Sequence, residues 1–145
     1  MPLAPEFDDA RRAIYAEMAS SVDALRGTLD AEREALDQLD PVALDAATSA
    51  KARLLLRLES LEAERRQLDD FAAPRESSGT WQRIRSQLED CRRMNETNGS
   101  IVEHQLRGVR RALGILRGAG EAPPLLYGPG GHADAPVLPH SLSKA

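Results

Sequence analysis

Residues 80–117 read TWQRIRSQLEDCRRMNETNGSIVEHQLRGVRRALGILR, and this stretch decides the fold. Apolar or amide residues recur in it at alternating steps of three and four, a spacing that places side chains on one face of an α-helix. These seam positions are Trp81, Ile84, Leu88, Cys91, Asn95, Asn98, Val102, Gln105, Val109, Ala112 and Leu116. Asn98-Gly99 is a frequent turn signal. The register is nevertheless the same on both sides of it, so the pattern predicts one helix over 80–117.

The sequence predicts two further helices before this one, at about 9–39 and 41–70. Apolar residues recur at helical spacing through both ranges. Asp40-Pro41 separates the two helices, because Asp accepts hydrogen bonds from the free N–H groups of a first turn and Pro fits that turn. A stretch at 72–79 that contains Pro, Ser and Gly predicts the turn before the third helix.

Three charged residues interrupt the apolar faces of the first two helices. Glu32 breaks the pattern of the first helix, while Lys51 and Arg65 interrupt that of the second. Long basic side chains can lay their methylene groups on apolar surface and keep the charge in water. We therefore predict that Lys51 and Arg65 lie at the edge of the packed face with solvated charges.

The composition agrees with a helical protein. Hydrophobic residues make up 41% of the 145 residues, only five residues are aromatic, and Leu and Ala supply most of the apolar surface. This balance favours helices over a β-sandwich. We predict an all-α fold: an elongated antiparallel bundle of three long helices over 1–117, followed by a flexible partner-binding tail, rich in Gly and Pro, over 118–145.

The tail differs sharply from the helices in composition. Residues 118–145 contain five of the ten Gly and five of the nine Pro, so a helix is not expected to continue through them. Leu125, Leu126 and Tyr127 form an apolar cluster within this range. Exposed hydrophobic residues on a mobile tether are suited to capturing a partner. The alternative is a tail that folds back on its own bundle.

Charge and hydropathy argue against several classes of protein. The formal net charge is −4 with acids and bases interleaved, whereas nucleic-acid binding needs a concentrated basic surface. The most basic segment holds Arg107, Arg110, Arg111 and Arg117, which we interpret as cations that favour the negative end of a helix dipole. No apolar run is long enough for a membrane span, and the N-terminus lacks a signal-peptide pattern, so we expect a cytoplasmic protein.

No combination of residues predicts catalysis, a metal or a cofactor. The Glu-x-x-His pairs that build dimetal sites in helical bundles do not occur in the sequence. Gly128, Gly130 and Gly131 lack the preceding strand and the following Lys-Ser/Thr of a phosphate-binding loop. Cys91 is the only cysteine, and its seam position favours packing over reactivity. We expect a binding protein and no enzyme.

Three amides occupy seam positions of the third helix, namely Asn95, Asn98 and Gln105. A buried amide costs stability unless it is hydrogen-bonded, and such residues can fix the register between helices. We interpret the three amides as register-specifying residues. Direct contact with a partner is the alternative.

Several short motifs occur in a recognisable order. They are Lys51–Leu61 (KARLLLRLESL), Trp81-Gln82, Cys91–Gly99 (CRRMNETNG), Ala112–Leu116 (ALGIL) and Leu126-Tyr127-Gly128 followed by Gly130-Gly131. No single motif is specific, but their order and spacing make chance improbable. Over about Leu29 to Gly131 the sequence resembles the FlgN family of flagellar export chaperones.

The resemblance implies a cytoplasmic helical protein that binds the hook-filament junction proteins FlgK and FlgL through their C-terminal helix. Such a chaperone keeps these clients unassembled and delivers them to the type III export gate of the flagellum. In this family the third helix and the tail receive the client, which implies contacts at Val109, Leu113, Leu116, Leu125 and Leu126. The resemblance also implies that Tyr127 contacts the export gate component. The alternative is a homo-oligomeric coiled-coil scaffold without a secretion client.

Overall fold

The computed structural model describes residues 4–72 and 79–118 of the chain. It contains three helices there, α1 over Ala4–Gln38, α2 over Pro41–Phe71 and α3 over Gly79–Gly118. No strand occurs in these two ranges, so the all-α prediction is confirmed. α1 begins earlier than the predicted residue 9, because Pro5 fits the first turn of a helix. α3 has no break at Asn98-Gly99, as predicted.

The connection between α1 and α2 consists of Leu39 and Asp40. The amide of Leu39 donates to the carbonyl of Leu36 at 3.3 Å and the amide of Asp40 donates to that of Ala35 at 2.9 Å, the two bonds of a Schellman motif. Leu39 adopts the left-handed conformation that this motif requires, with φ of 54°. Its side chain is exposed although it follows the buried Leu36 at helical spacing, because the left-handed residue turns the chain away from the α1 face.

Asp40 begins α2 as its N-cap. Its carboxylate accepts hydrogen bonds from the amides of Val42 and Ala43, at 3.1 and 3.0 Å, and Pro41 occupies the first turn. The prediction that Asp40-Pro41 both stops one helix and starts the next is therefore confirmed. The tight hairpin therefore follows from hydrogen bonds between residues that are close together in the sequence.

The chain divides into two units, Met1–His104 and Gln105–Ala145. The first unit holds α1, α2 and most of α3, and the described part of the second unit is the end of α3. The core of the first unit is built mainly by α1. Its main cluster of buried apolar residues comprises Ile14, Tyr15, Met18, Val22, Leu25 and Leu29 of α1, Leu58 and Leu61 of α2, and Ile84 and Cys91 of α3.

Contacts at both ends of the first unit define how the helices are aligned. Tyr15 stacks on Trp81 and Glu32 accepts a hydrogen bond from Asn98, and the residue numbers of both pairs differ by 66. α1 and α3 are therefore parallel and keep one register between these points. Lys51 pairs with Asn95 and Arg65 with Trp81, and the numbers of both pairs add to 146, so α2 is antiparallel to α3.

Candidate partner-binding surface

Most seam residues are buried or half-buried in the first part of α3, and most are exposed in its last part. Ile84, Cys91 and Asn98 are buried in the first unit. The register of α3 with α1 places position 104 level with Gln38, the last residue of α1. His104 is also the last residue of the first unit. The apolar repeat of the sequence continues beyond this point.

In the second unit, residues Gln105–Gly118 of α3 present an apolar stripe, which we define as Leu106, Val109, Leu113 and Leu116. Their exposed fractions are 48, 56, 46 and 75%. Steps of three and four place them on one face of the helix. Such a face is suited to a partner helix that packs along it.

The structure therefore describes three of the five residues predicted to bind a client. Val109, Leu113 and Leu116 are exposed on one helix face. Leu125 and Leu126 lie outside the described residues, as does Tyr127, the predicted contact with the export gate. The structure shows that the first three share an exposed face of α3, while the roles of all six residues in binding stay predictions.

Asn98 is the most enclosed of the three seam amides. It is 3% exposed, and its side-chain nitrogen donates to the backbone oxygen of Leu29 at 3.0 Å and to Glu32 Oε2 at 2.8 Å. Its side-chain oxygen accepts from Arg33 Nε at 3.0 Å. Each side of the amide thus has a partner on α1, and this arrangement suits a residue that specifies register.

The other two amides have different surroundings. Asn95 is exposed, and its oxygen accepts a hydrogen bond from Lys51 Nζ at 3.1 Å. Gln105 is half-buried at the start of the second unit. Sequence spacing placed all three on one seam, but only Asn98 is enclosed on every side. Their predicted role in specifying register stays a prediction.

A buried ion pair lies beside Asn98, between Glu32 of α1 and Lys51 of α2. Lys51 Nζ lies 2.6 Å from Glu32 Oε1, and Glu32 is only 5% exposed. The prediction that Lys51 keeps its charge in water is wrong, because its ammonium group is paired with this buried carboxylate. The sequence showed opposite charges on the apolar faces of consecutive helices, but it did not show that these two charges pair.

Arg65 is paired as well, at the other end of the first unit. Its guanidinium lies 4.3 Å from the centre of the Trp81 ring and donates to Glu62 and Asp69. The hydrogen bonds to Glu62 raise the pKa of Arg65 and lower that of Glu62. Tyr15 stacks on Trp81, with ring centres 5.8 Å apart. The prediction of a solvated Arg65 charge is therefore wrong too, and the residue joins α2 to α3.

The first unit also contains a partly open cavity of about 230 Å³ among its three helices. Its lining consists of Leu25, Leu29, Lys51, Leu55, Leu88, Cys91, Arg92 and Asn95. Burial raises the pKa of the Cys91 thiol, so the neutral form is favoured there. The cavity wall is mainly apolar, with polar groups from Lys51, Arg92 and Asn95 among them.

The described residues offer neither a metal site nor a membrane span. Within residues 4–72 and 79–118, no three His, Cys, Asp or Glu side chains lie together in a way that could hold a metal ion. In the same ranges, no helix combines the length and apolar character needed to cross a membrane.

Comparison with known proteins identifies the family. Residues 9–135 match the family described as FlgN protein. The chain is 32% identical over 120 residues to the flagella synthesis protein FlgN of Escherichia coli, a match that covers 81% of this chain and 86% of the relative. It is 31% identical over 122 residues to the protein of the same name from Salmonella typhimurium, with the same coverage. No solved structure was found to match. The family match and the shared identity across most of both chains show that this chain belongs to the FlgN family.

Proposed function

We propose that this protein is a cytoplasmic type III export chaperone that binds hook-filament junction proteins of the FlgK and FlgL type. It holds the C-terminal helix of these clients, keeps them unassembled and delivers them to the flagellar export gate. The observation that carries the proposal is the exposed apolar stripe of α3 in a member of the FlgN family. The proposed activity is binding, without catalysis.

Helix packing explains how such a surface would hold a client. A partner helix with apolar residues at steps of three and four buries its own face and the stripe together. While the client helix is covered in this way, its apolar face is not available for assembly or aggregation. Much of the gain from burial is offset by the entropy of association and ordering, so release at the export gate remains feasible.

The proposal assigns residues to two partners. Val109, Leu113 and Leu116 contact the client from α3, and Leu125 and Leu126 extend that contact into the chain that follows. Tyr127 contacts the export gate component, because a Tyr ring offers a large contact area at low entropic cost and its hydroxyl supplies a hydrogen bond. The client and gate contacts are thus neighbours in sequence but involve different residues.

Co-purification with the C-terminal helix of FlgK-type and FlgL-type proteins tests the client contact. We expect a complex with the full chain and at least tenfold weaker binding for Leu113→Asp, because a charge is then buried in the interface. Ile115→Asp is the matched control, since Ile115 is exposed on α3 but lies off the stripe. The proposal fails if neither client binds, or if both variants bind as well as the unchanged chain.

Tyr127→Ala tests the gate contact separately. We expect this variant to retain its helical circular dichroism and its client binding but to show weaker docking to the gate component and less secretion of the client. A variant that loses client binding to the same degree would show that Tyr127 belongs to the client contact instead.

A homo-oligomeric coiled-coil scaffold is the second candidate, because an exposed apolar stripe at coiled-coil spacing also suits self-association. Sedimentation of the purified chain distinguishes the two. A scaffold forms a stable oligomer that persists when a client helix is added, whereas a chaperone forms a complex with the client helix.

A further inference from the structure

The described part of the second unit carries an excess of positive charge. Residues 105–118 contain Arg107, Arg110, Arg111 and Arg117 and no Asp or Glu. The whole chain has a formal net charge of −4, so the residues outside this segment carry −8. Among residues 4–72 and 79–118, no acidic side chain pairs with any of the four arginines. Some arginines of the first unit, such as Arg57 and Arg92, do form ion pairs.

The four arginines are distributed unevenly around α3. Successive residues of an α-helix are rotated by about 100°, so the apolar stripe occupies a sector of roughly 80°. Arg110 and Arg117 lie beside one edge of this sector, seven residues apart, and we call them the arginine edge. Gln105 and Ala112 lie beside the other edge and carry no charge. Arg107 and Arg111 lie on the side of the helix opposite the stripe.

We propose that the arginine edge selects the partner helix: the client carries two carboxylates about seven residues apart along one flank of its apolar face. Seven residues correspond to two helical turns, so the two carboxylates are spaced to face Arg110 and Arg117 while the apolar faces pack. The inference rests on the proposed function, because it specifies the chemistry of the helix that the stripe binds.

A second copy of this chain fits the surface less well. In an antiparallel pair of identical helices the two arginine edges face each other, and like charges repel. In a parallel pair each arginine edge faces Gln105 and Ala112, which supply no carboxylate. Neither arrangement neutralises the arginines.

An anionic lipid surface fits less well for a different reason. A helix lying on a membrane has both edges of its apolar face at the level of the headgroups, so cations on either edge are stabilising. Here one edge is cationic and the other is uncharged. A partner helix with acids on a single flank matches this asymmetry, and a membrane does not.

Designed peptides test the inference with the full chain. Three synthetic helices share one leucine face and carry, at two flank positions seven residues apart, Glu, Gln or Lys. We expect the Glu peptide to bind about three- to tenfold more tightly than the Gln peptide, the Lys peptide to bind most weakly, and the differences to shrink at high salt. Fluorescence anisotropy of labelled peptides measures the affinities.

Charge reversal on the protein supplies the matched control. In Arg110→Glu/Arg117→Glu the order of the three peptides should invert, while Arg107→Glu/Arg111→Glu, with the same change in net charge on the same helix segment, should retain the original order. Equal responses of the two double variants would overturn the inference, because general electrostatic attraction would then explain the preference.

Two further outcomes separate this inference from the proposed function. Equal binding of all three peptides, abolished by Leu113→Asp, overturns the charge selection and leaves the client contact intact. Binding of none of them, or binding to anionic vesicles without any peptide binding, overturns both. Self-association that excludes every peptide also overturns both.

Discussion

The ammonium group of Lys51 in α2 lies 2.6 Å from one carboxylate oxygen of Glu32 in α1. The other oxygen of Glu32 accepts a hydrogen bond from Asn98 of α3 at 2.8 Å. One buried carboxylate thus joins three helices. A carboxylate removed from water is costly unless it is paired and hydrogen-bonded, so displacement of any of the three helices along its axis is penalised.

Lys51→Met is expected to lower the free energy of unfolding by about 2–4 kcal/mol, because it leaves the Glu32 carboxylate buried without its cation. Lys51→Met/Glu32→Leu should recover most of this loss. Urea denaturation followed by circular dichroism measures both. Arg57→Met is the control, since it removes only exposed ion pairs, with Glu17 and Glu64, and should cost less than about 1 kcal/mol. Equal losses for Lys51→Met and Arg57→Met would contradict the role of burial.

Asn98→Ala is expected to cost about 1–3 kcal/mol, because Glu32 and Arg33 both lose a hydrogen-bond partner at a buried site. Asn95→Ala should cost less than about 1 kcal/mol, since Asn95 is exposed and has one such bond, to Lys51. We also expect broadened amide signals in the NMR spectrum of Asn98→Ala if register becomes heterogeneous. A larger effect at Asn95 would show that enclosure does not decide which amide specifies register.

The contact between Arg65 and Glu62 predicts a loss of stability in acid. The hydrogen bond from Arg65 is the largest cause that holds the pKa of Glu62 below its usual value of 4.5. The unfolded chain therefore binds a proton more readily than the folded chain, so the stabilisation is present above the unfolded pKa and is lost as the pH falls through the lower folded pKa.

We accordingly expect the urea midpoint to decline between about pH 5 and pH 3, and to decline less steeply in Arg65→Gln. Arg12→Gln is the comparison, because Arg12 forms an exposed ion pair with Asp9 at the surface of α1. The interpretation is wrong if the two variants have the same dependence on pH.

Cys91 is expected to react slowly with thiol reagents in the folded protein. Its side chain is 3% exposed and burial raises the pKa of the thiol above its usual value of 9.0, so little thiolate is available at pH 8. An aromatic disulfide reagent should modify it at least about 100-fold more slowly than in concentrated urea, where one equivalent reacts because the chain has one cysteine. Rapid modification without urea would indicate that this part of the first unit opens readily.

Leu39→Gly is expected to raise the free energy of unfolding by about 1 kcal/mol. Leu39 has a φ of 54°, a conformation that is strained for a residue with a Cβ atom and relaxed for Gly, and its exposed side chain contributes little packing. Val42→Gly is the control, because Val42 is also exposed but lies in α2, where Gly should be destabilising. A loss of stability in both variants would show that the Leu39 side chain contributes packing that its exposure does not reveal.

The helices of this protein were predictable from the sequence because their causes are local. The three- and four-residue spacing from Trp81 to Leu116 predicted α3, and the retained register correctly favoured continuity through Asn98-Gly99. Asp40 and Pro41 influence only the neighbouring turns of α1 and α2, so the hairpin could also be predicted from the sequence. The FlgN resemblance came from short motifs in their order and needed no tertiary contact.

Pairing between helices was decided only by the tertiary structure. In the sequence, Glu32 and Lys51 interrupt the apolar faces of two different helices. Neither helix alone shows that the two residues lie side by side in the folded protein. The seam of α3 has the same pattern before and after His104, yet it encloses Asn98 and leaves Val109 and Leu116 exposed. The spacing of residues along one helix determines which of them share a face. Whether that face is buried depends on whether another helix packs against it. That packing follows from the register between segments that are distant in the sequence.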